Sequence, residues 1–194
     1  VKGTDDRILD VACGTGDLSE ALADRCPASV HGIDFSSGML EVAIAKTHAR
    51  TRRSGTPTPT YAQGDAMSLE LPDASFEACT IAFGIRNVTE PSTALAEFHR
   101  VLVPGGRCLI LEFSEPANPL LRGMSNIYNR RIMPFTATLI AGDRSGAYKY
   151  LPRSMETFLS PSQLADQMRS VGFTMGEQRP MTCGICTLSI AYKS

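Results

Sequence analysis

No apolar run in this 194-residue chain approaches the ~20 residues needed to cross a bilayer, and no signal peptide opens it. Membrane-spanning and secreted classes are set aside, and a cytoplasmic protein is expected. Charge of one sign is lacking too: Lys and Arg number 19 against 20 Asp and Glu, a formal net charge of -1. Arg50, Arg52 and Arg53 form only a local cluster, so nucleic-acid binding has little electrostatic support. Disulfide stapling has little use, because the six cysteines lie in a chain long enough to bury a core of its own. Cys183-Gly184-Ile185-Cys186 invites a redox or metal reading, but no second Cys pair or nearby His completes a ligand set, and no metal is expected. That pair falls within 182–192, which reads as a β-strand, so the odd spacing predicts side chains on opposite faces. The chain opens at Val1 without an initiator Met and only a few residues ahead of its first strand, which predicts that an N-terminal portion has been removed.

What is present alternates. Residues 7–12 form a short apolar run ending in glycines, followed by helical spacing through Leu18, Leu22 and Ala23. Residues 30–34 read as a second strand, 38–49 as a second helix and 54–60 as a Pro/Thr-rich loop. Strands at 60–63 and 78–83 follow. A helix over 91–103 is started by Pro91 and stopped by Pro104-Gly105-Gly106, and 107–113 returns as a fifth strand. An apolar helical segment at 119–141, a helix at 162–171 and two closing strands complete the chain. The pattern predicts one α/β domain over 1–194, a parallel sheet covered by helices on both faces, with a helical insertion over 115–160.

Gly14 and Gly16 stand where the first strand turns into its helix, a place where missing side chains let backbone N–H groups approach a ligand. The third glycine of a dinucleotide fingerprint is absent, with Leu18 and Ser19 near its place, so NAD loses ground. Asp34 ends the second strand 18 residues after Gly16, near the offset at which an acid meets ribose hydroxyls. Gly64-Asp65-Ala66 follows the third strand and adds a carboxylate at the rim of the same crevice, suited to a purine amino group. A tight turn with a capping Asp is the plainer account of the glycines and Asp34.

Together these stretches resemble the cofactor motifs of class I S-adenosylmethionine-dependent methyltransferases, over essentially the whole chain. The resemblance implies a Rossmann-like sheet of seven strands, the last antiparallel. It implies S-adenosyl-L-methionine as cosubstrate, with Gly14, Thr15 and Gly16 facing its methionine portion and Asp34 its ribose. Asp65 and Ala66 would bracket the adenine, and Asp10 would steady the loop or the amino group. Phe83-Gly84-Ile85-Arg86-Asn87-Val88-Thr89 resembles the signature of the ubiquinone and menaquinone biosynthesis C-methyltransferases. Arg100-Val101-Leu102-Val103-Pro104-Gly105-Gly106, Leu111-Glu112-Phe113-Ser114, Ala141-Gly142-Asp143 and Tyr148-Lys149-Tyr150-Leu151 match that family as well. Departures are Ser125 where a tyrosine is usual three residues before Tyr128, and Ala137 in place of a glycine. The family's segment upstream of the first strand is not in this sequence.

The implied reaction is methylation of a ring carbon on a polyprenylated quinol. Arg86 with Asn87 would stabilise the phenolate that activates that carbon, since an Arg whose pKa stays above ~12 cannot be the base. Asp143 or a water held by Arg is the expected proton acceptor, with Tyr128, Tyr148 and Tyr150 near the ring. Leu120, Leu121, Met124, Ile127, Ile132 and Met133, beside Arg130 and Arg131, form an apolar stripe that packs a core or rests on a membrane surface. Oligomeric state is open. Competing readings are a dehydrogenase, a methyltransferase for another small lipid or phenol, and a cofactor-binding protein without activity.

Overall fold

The computed structural model describes residues 6–51, 55–116 and 158–194. The expectations placed on Tyr128, Asp143, Tyr148, Tyr150 and the stripe at 120–133 lie outside the described residues.

Strand β1 (Arg7–Val11) is buried from its second residue onward, the pattern of a strand covered on both faces. Its alternation divides the core. Leu9 and Val11 point to one side with Cys79, Ile81 and Ile110, where Leu95, Phe98, Val101, Leu164 and Met168 cover them. Ile8 points to the other with Val30 and Ala78, against Ala23. Helix α1 (Asp17–Arg25) supplies the second cover, with α2 (Ser37–Ala49) beside it. Helices α3 (Pro91–Val101) and α4 (Pro161–Ser170) supply the first.

With β2 (Ser29–Asp34), β3 (Thr60–Gln63), β4 (Phe76–Ala82), β5 (Leu102–Phe113), β6 (Phe173–Met181) and β7 (Cys186–Lys193), the sheet has seven strands in the order β3-β2-β1-β4-β5-β7-β6. β1 to β5 pair in parallel, and β7 runs against both of its neighbours. The expected mostly parallel sheet with an antiparallel last strand is therefore present. β1 and β4 lie side by side although two strands separate them in the chain, which puts the reversal of strand order, and its crevice, between them.

Two boundaries differ from expectation by more than two residues. β5 begins at Leu102 because that residue pairs with Phe76 before a register shift lets Arg107 pair with Ala78; Gly105, at φ +76, turns the chain within it. Residues 182–184 form a 3-10 turn instead of strand. Thr182 and Cys183 have φ of 49° and 59°, so Cys183 is exposed in a turn while Cys186 is buried. All six cysteines are free thiols.

The two loop glycines differ. Gly16, at φ +77, precedes α1, and a Cβ there would sit 2.5 Å from Tyr61 Oη and 3.1 Å from Ala43. Gly14, at φ +55, has no atom within 4 Å of that position. Gly14→Ala is therefore expected to lose about 1 kcal/mol of stability through backbone strain alone, and Gly16→Ala about 2–4 kcal/mol through strain plus overlap. Urea melts of the two variants check the order; equal losses would remove the overlap from the account.

Candidate functional site

A cleft of about 520 Å³ opens at the C-terminal ends of the parallel strands, walled by Ile33, Asp34, Phe35, Gly64, Asp65, Ala66, Phe83 and Asn87 among others. The loop 12–16 leaves β1 on a left-handed residue, Ala12 at φ 52, and Phe83 leaves β4 the same way at φ 55. Left-handed backbone at a residue with a side chain costs about 1–3 kcal/mol, and such strain collects at functional sites. Gly84 fits between these two strand ends, since a Cβ there would lie 2.6 Å from Ala12 Cβ.

Asp34 organises the glycine loop. Its Oδ2 accepts from Gly14 N at 2.8 Å and its Oδ1 from Ser36 N at 2.9 Å, joining the end of β2 to the loop after β1. Asp65 Oδ1 accepts from Met67 N at 2.9 Å, an Asx turn that presents Ala66 at the cleft wall. The loop beyond is clamped from α3: Arg100 donates to the carbonyls of Leu69 and Leu71, each at 2.8 Å, and Glu97 accepts from Leu69 N at 2.8 Å. Thr15 is held to α1, its hydroxyl donating to Asp17 at 2.8 Å. Lys46 of α2 reaches the Thr15 carbonyl at 3.0 Å. The N–H of Gly16 is spent on the Cys13 carbonyl at 2.9 Å, and its open side faces Tyr61 instead of the cleft.

Asp10 lies beneath this loop, 1% exposed, accepting from Ser19 Oγ at 2.6 Å and from Thr80 Oγ1 at 3.0 Å. Ser19 occupies the position of a dinucleotide fingerprint's third glycine, and here its side chain ties α1 to β1. Burial raises the Asp10 carboxyl from 3.8 to about 6, against the pull of the two hydroxyl donors. Burial, with Asp10 and Asp34 nearby, likewise pushes the Cys13 thiol up to about 12, which keeps it neutral and unreactive.

Asn87 reaches the cleft wall, whereas Arg86, expected to act beside it, turns toward the sheet. Its guanidinium is 7% exposed, 2.9 Å from Glu112 Oε1, donates to the Phe83 carbonyl and lies 5.1 Å over the Phe113 ring. Sequence reasoning placed this Arg against the acceptor's phenolate; the pull of a buried carboxylate turns it to the sheet. It also passed over Phe35, 76% exposed at the cleft rim, whose signal was a large apolar residue directly after Asp34. Glu112 was missed as well, although a charge inside an apolar strand run marks it. Among the described residues, no group of His, Cys, Asp and Glu could hold a metal ion, and no helix is long and apolar enough to cross a membrane.

A family model described as the ubiE/COQ5 methyltransferase family matches residues 1–193. The chain belongs to that family. It is 40% identical over 185 residues to the demethylmenaquinone methyltransferase of Thermus thermophilus, covering 95% of this chain and 81% of the relative. It is 43% identical over 183 residues to the ubiquinone/menaquinone biosynthesis C-methyltransferase UbiE of Syntrophotalea carbinolica, covering 94% and 74%. A solved SAM-dependent methyltransferase from Methanosarcina mazei superposes with a TM-score of 0.70 at 24% identity, covering 98% of this chain and 93% of that one. That likeness is one of fold, the Rossmann-like fold of such enzymes.

The position of Asp10 carries a test. Its folded pKa lies above its ordinary value, so the folded state holds this proton more tightly than the unfolded chain. The contribution to stability is complete below about pH 4 and is lost as pH rises through 6. Asp10→Asn, neutral throughout, is expected to gain roughly 2–3 kcal/mol on the parent between pH 4 and pH 7. Denaturant melts across that range read it, and a difference that stays flat would show that ionising Asp10 costs the fold nothing.

Proposed function

We propose that this protein is an S-adenosylmethionine-dependent C-methyltransferase of respiratory quinone biosynthesis. Its acceptor is a reduced polyprenyl quinone, demethylmenaquinol or the corresponding ubiquinol precursor. Family membership over nearly the whole chain carries the reading, and the cleft supports it.

The residues present fit the cosubstrate. Asp34 meets Gly14 and Ser36 through one N–H on each oxygen, which leaves acceptor capacity on both oxygens for vicinal hydroxyls. Open space stands where a Gly14 side chain would be, so loop N–H groups can come close to a carboxylate or amino terminus. Exposed Phe35 and the Asp65-Ala66 pair offer an apolar face and a carboxylate for a purine. We assign Asp34 to the ribose, Asp65 and Ala66 to the adenine, and Gly14 and Thr15 to the methionine portion. Gly16 and Asp10 shape the loop from behind. When bound, S-adenosylmethionine supplies an electrophilic methyl group on a sulfonium.

For a ring carbon to accept that methyl it must be electron-rich, as it is when a neighbouring ring hydroxyl is ionised; the carbon afterwards loses its hydrogen as a proton. Asn87, at the cleft wall, is assigned the contact to the ring oxygen. Arg86 acts from behind it, its charge balanced by Glu112, and orients the turn. Asp143 or a water held by Arg is proposed as the proton acceptor, with Tyr128 and Tyr148 as contacts to the ring or its hydroxyls. Displacement at a methyl group needs collinear atoms, so holding acceptor and donor in line supplies much of the acceleration.

Calorimetry with S-adenosylmethionine and NAD, followed by transfer of labelled methyl to reduced demethylmenaquinone, tests this. Binding of the first alone, with label in the lipid product, is expected; NAD binding or unlabelled quinone would overturn it. Asp34→Ala is expected to weaken the cosubstrate by at least ~10-fold. Asn87→Ala should lower kcat by ~10-fold or more and change that affinity little.

A further inference from the structure

Glu112 stands one residue from the end of β5 and is 3% exposed, inside the apolar run Leu109-Ile110-Leu111-Glu112-Phe113. A carboxylate taken that far from water needs compensation. Three donors face it: Arg86 Nη1 at 2.9 Å, Arg86 N at 3.4 Å and Phe113 N at 2.8 Å. Two belong to Arg86, which sits on the 3-10 turn Ile85–Asn87 with no side-chain cap. Phe83 N donates to the Leu111 carbonyl at 2.8 Å and the Phe83 and Phe113 rings lie 4.7 Å apart. The segment 83–88 is thus fastened to β5 at its start by backbone and ring, and at its turn by Glu112.

The fastening is not built for stability. Arg86 Nε is buried with no hydrogen-bond partner among the described residues, and a buried donor left unpaired costs about 1–3 kcal/mol. Buried ion pairs in any case roughly break even against apolar packing. What the pair does is fix one geometry, because a guanidinium bonded to a carboxylate and to the Phe83 carbonyl has little freedom left.

We propose that Glu112 is a positioning residue for methyl transfer: through Arg86 it holds the Ile85–Asn87 turn at the height that puts Asn87 on the cleft wall. This rests on the quinol methyltransferase reading. Glu112 is not among the residues that wall the cleft, so its effect runs through Arg86.

The experiment compares the parent with Glu112→Gln, Arg86→Lys and their combination by amide hydrogen exchange, cosubstrate calorimetry and quinol kinetics. Glu112→Gln should speed exchange over 83–88 by ~10-fold or more while β1 keeps its protection. It should lower kcat by ~10–100-fold and leave cosubstrate affinity within about threefold. In the Arg86→Lys background the same change should cost under ~3-fold in kcat, the non-additivity of residues acting as a unit. Unchanged exchange at 83–88, exchange that rises equally in β1, or losses that simply multiply would overturn the proposal. A parent that binds S-adenosylmethionine but methylates no quinol would instead sink the function reading, and the exchange arm would still decide whether Glu112 holds the turn.

Discussion

The adjacency of β1 and β4 is the constraint on which the rest hangs. The chain leaves β1 for β2 and β3 on one side and comes back as β4 on the other, so the connections that follow these two strands diverge. A crevice opens between them without any residue being placed to make it. Both strands end on left-handed residues, Ala12 and Phe83, and the two ends pass so closely that only a glycine fits at position 84. The glycine loop and the Ile85–Asn87 turn start from this one point, and Ala12 from the first and Asn87 from the second both wall the cleft.

Around that point the loops are held by buried carboxylates, each doing a different piece of fastening. Asp10 ties α1 and β4 to β1 through two hydroxyls. Glu20, also buried, accepts from Thr47 and Arg50 and locks α2 to α1. Glu112 holds the turn after β4. Apolar contacts alone would let these loops slide, since such contacts have no direction; hydrogen bonds to a desolvated carboxylate allow one arrangement. The cost of burying the charge shows at Asp10 as a carboxyl that releases its proton only near pH 6.

How far the chain could be read in advance follows the range of the interactions involved. β3 over 60–63, the α2 and α4 helices and the glycine loop carry local signals in the sequence, such as the Ser160–Gln163 capping box, and these were legible. The start of β5 was not, because Leu102 is strand only by virtue of Phe76 beside it. The 182–192 strand was overextended for the converse reason: nothing in Thr182-Cys183 announces two left-handed residues ahead of Gly184, itself at φ +88. Arg86 is the sharpest case. Its motif marked it as important, but the direction of its side chain depends on Glu112, 26 positions away, and no spacing rule links the two.

The same contrast separates the two halves of the cleft. The end formed by the glycine loop is built from backbone N–H groups and acids at strand ends, features that any chain folding into this sheet can provide. The sheet that carries them is accordingly shared with a methyltransferase from Methanosarcina mazei only 24% identical to this chain. A shared sheet cannot choose the acceptor, because sites are carried on folds and not specified by them. The choice must come from side chains that the common architecture leaves free, and the 83–89 segment is one such place among the described residues. There the strained exit of Phe83, the buried pairing of Arg86 and the placement of Asn87 depend on one another. On the proposed function, altering any one of them would shift the wall assigned to the acceptor while the strands beneath stay where they are.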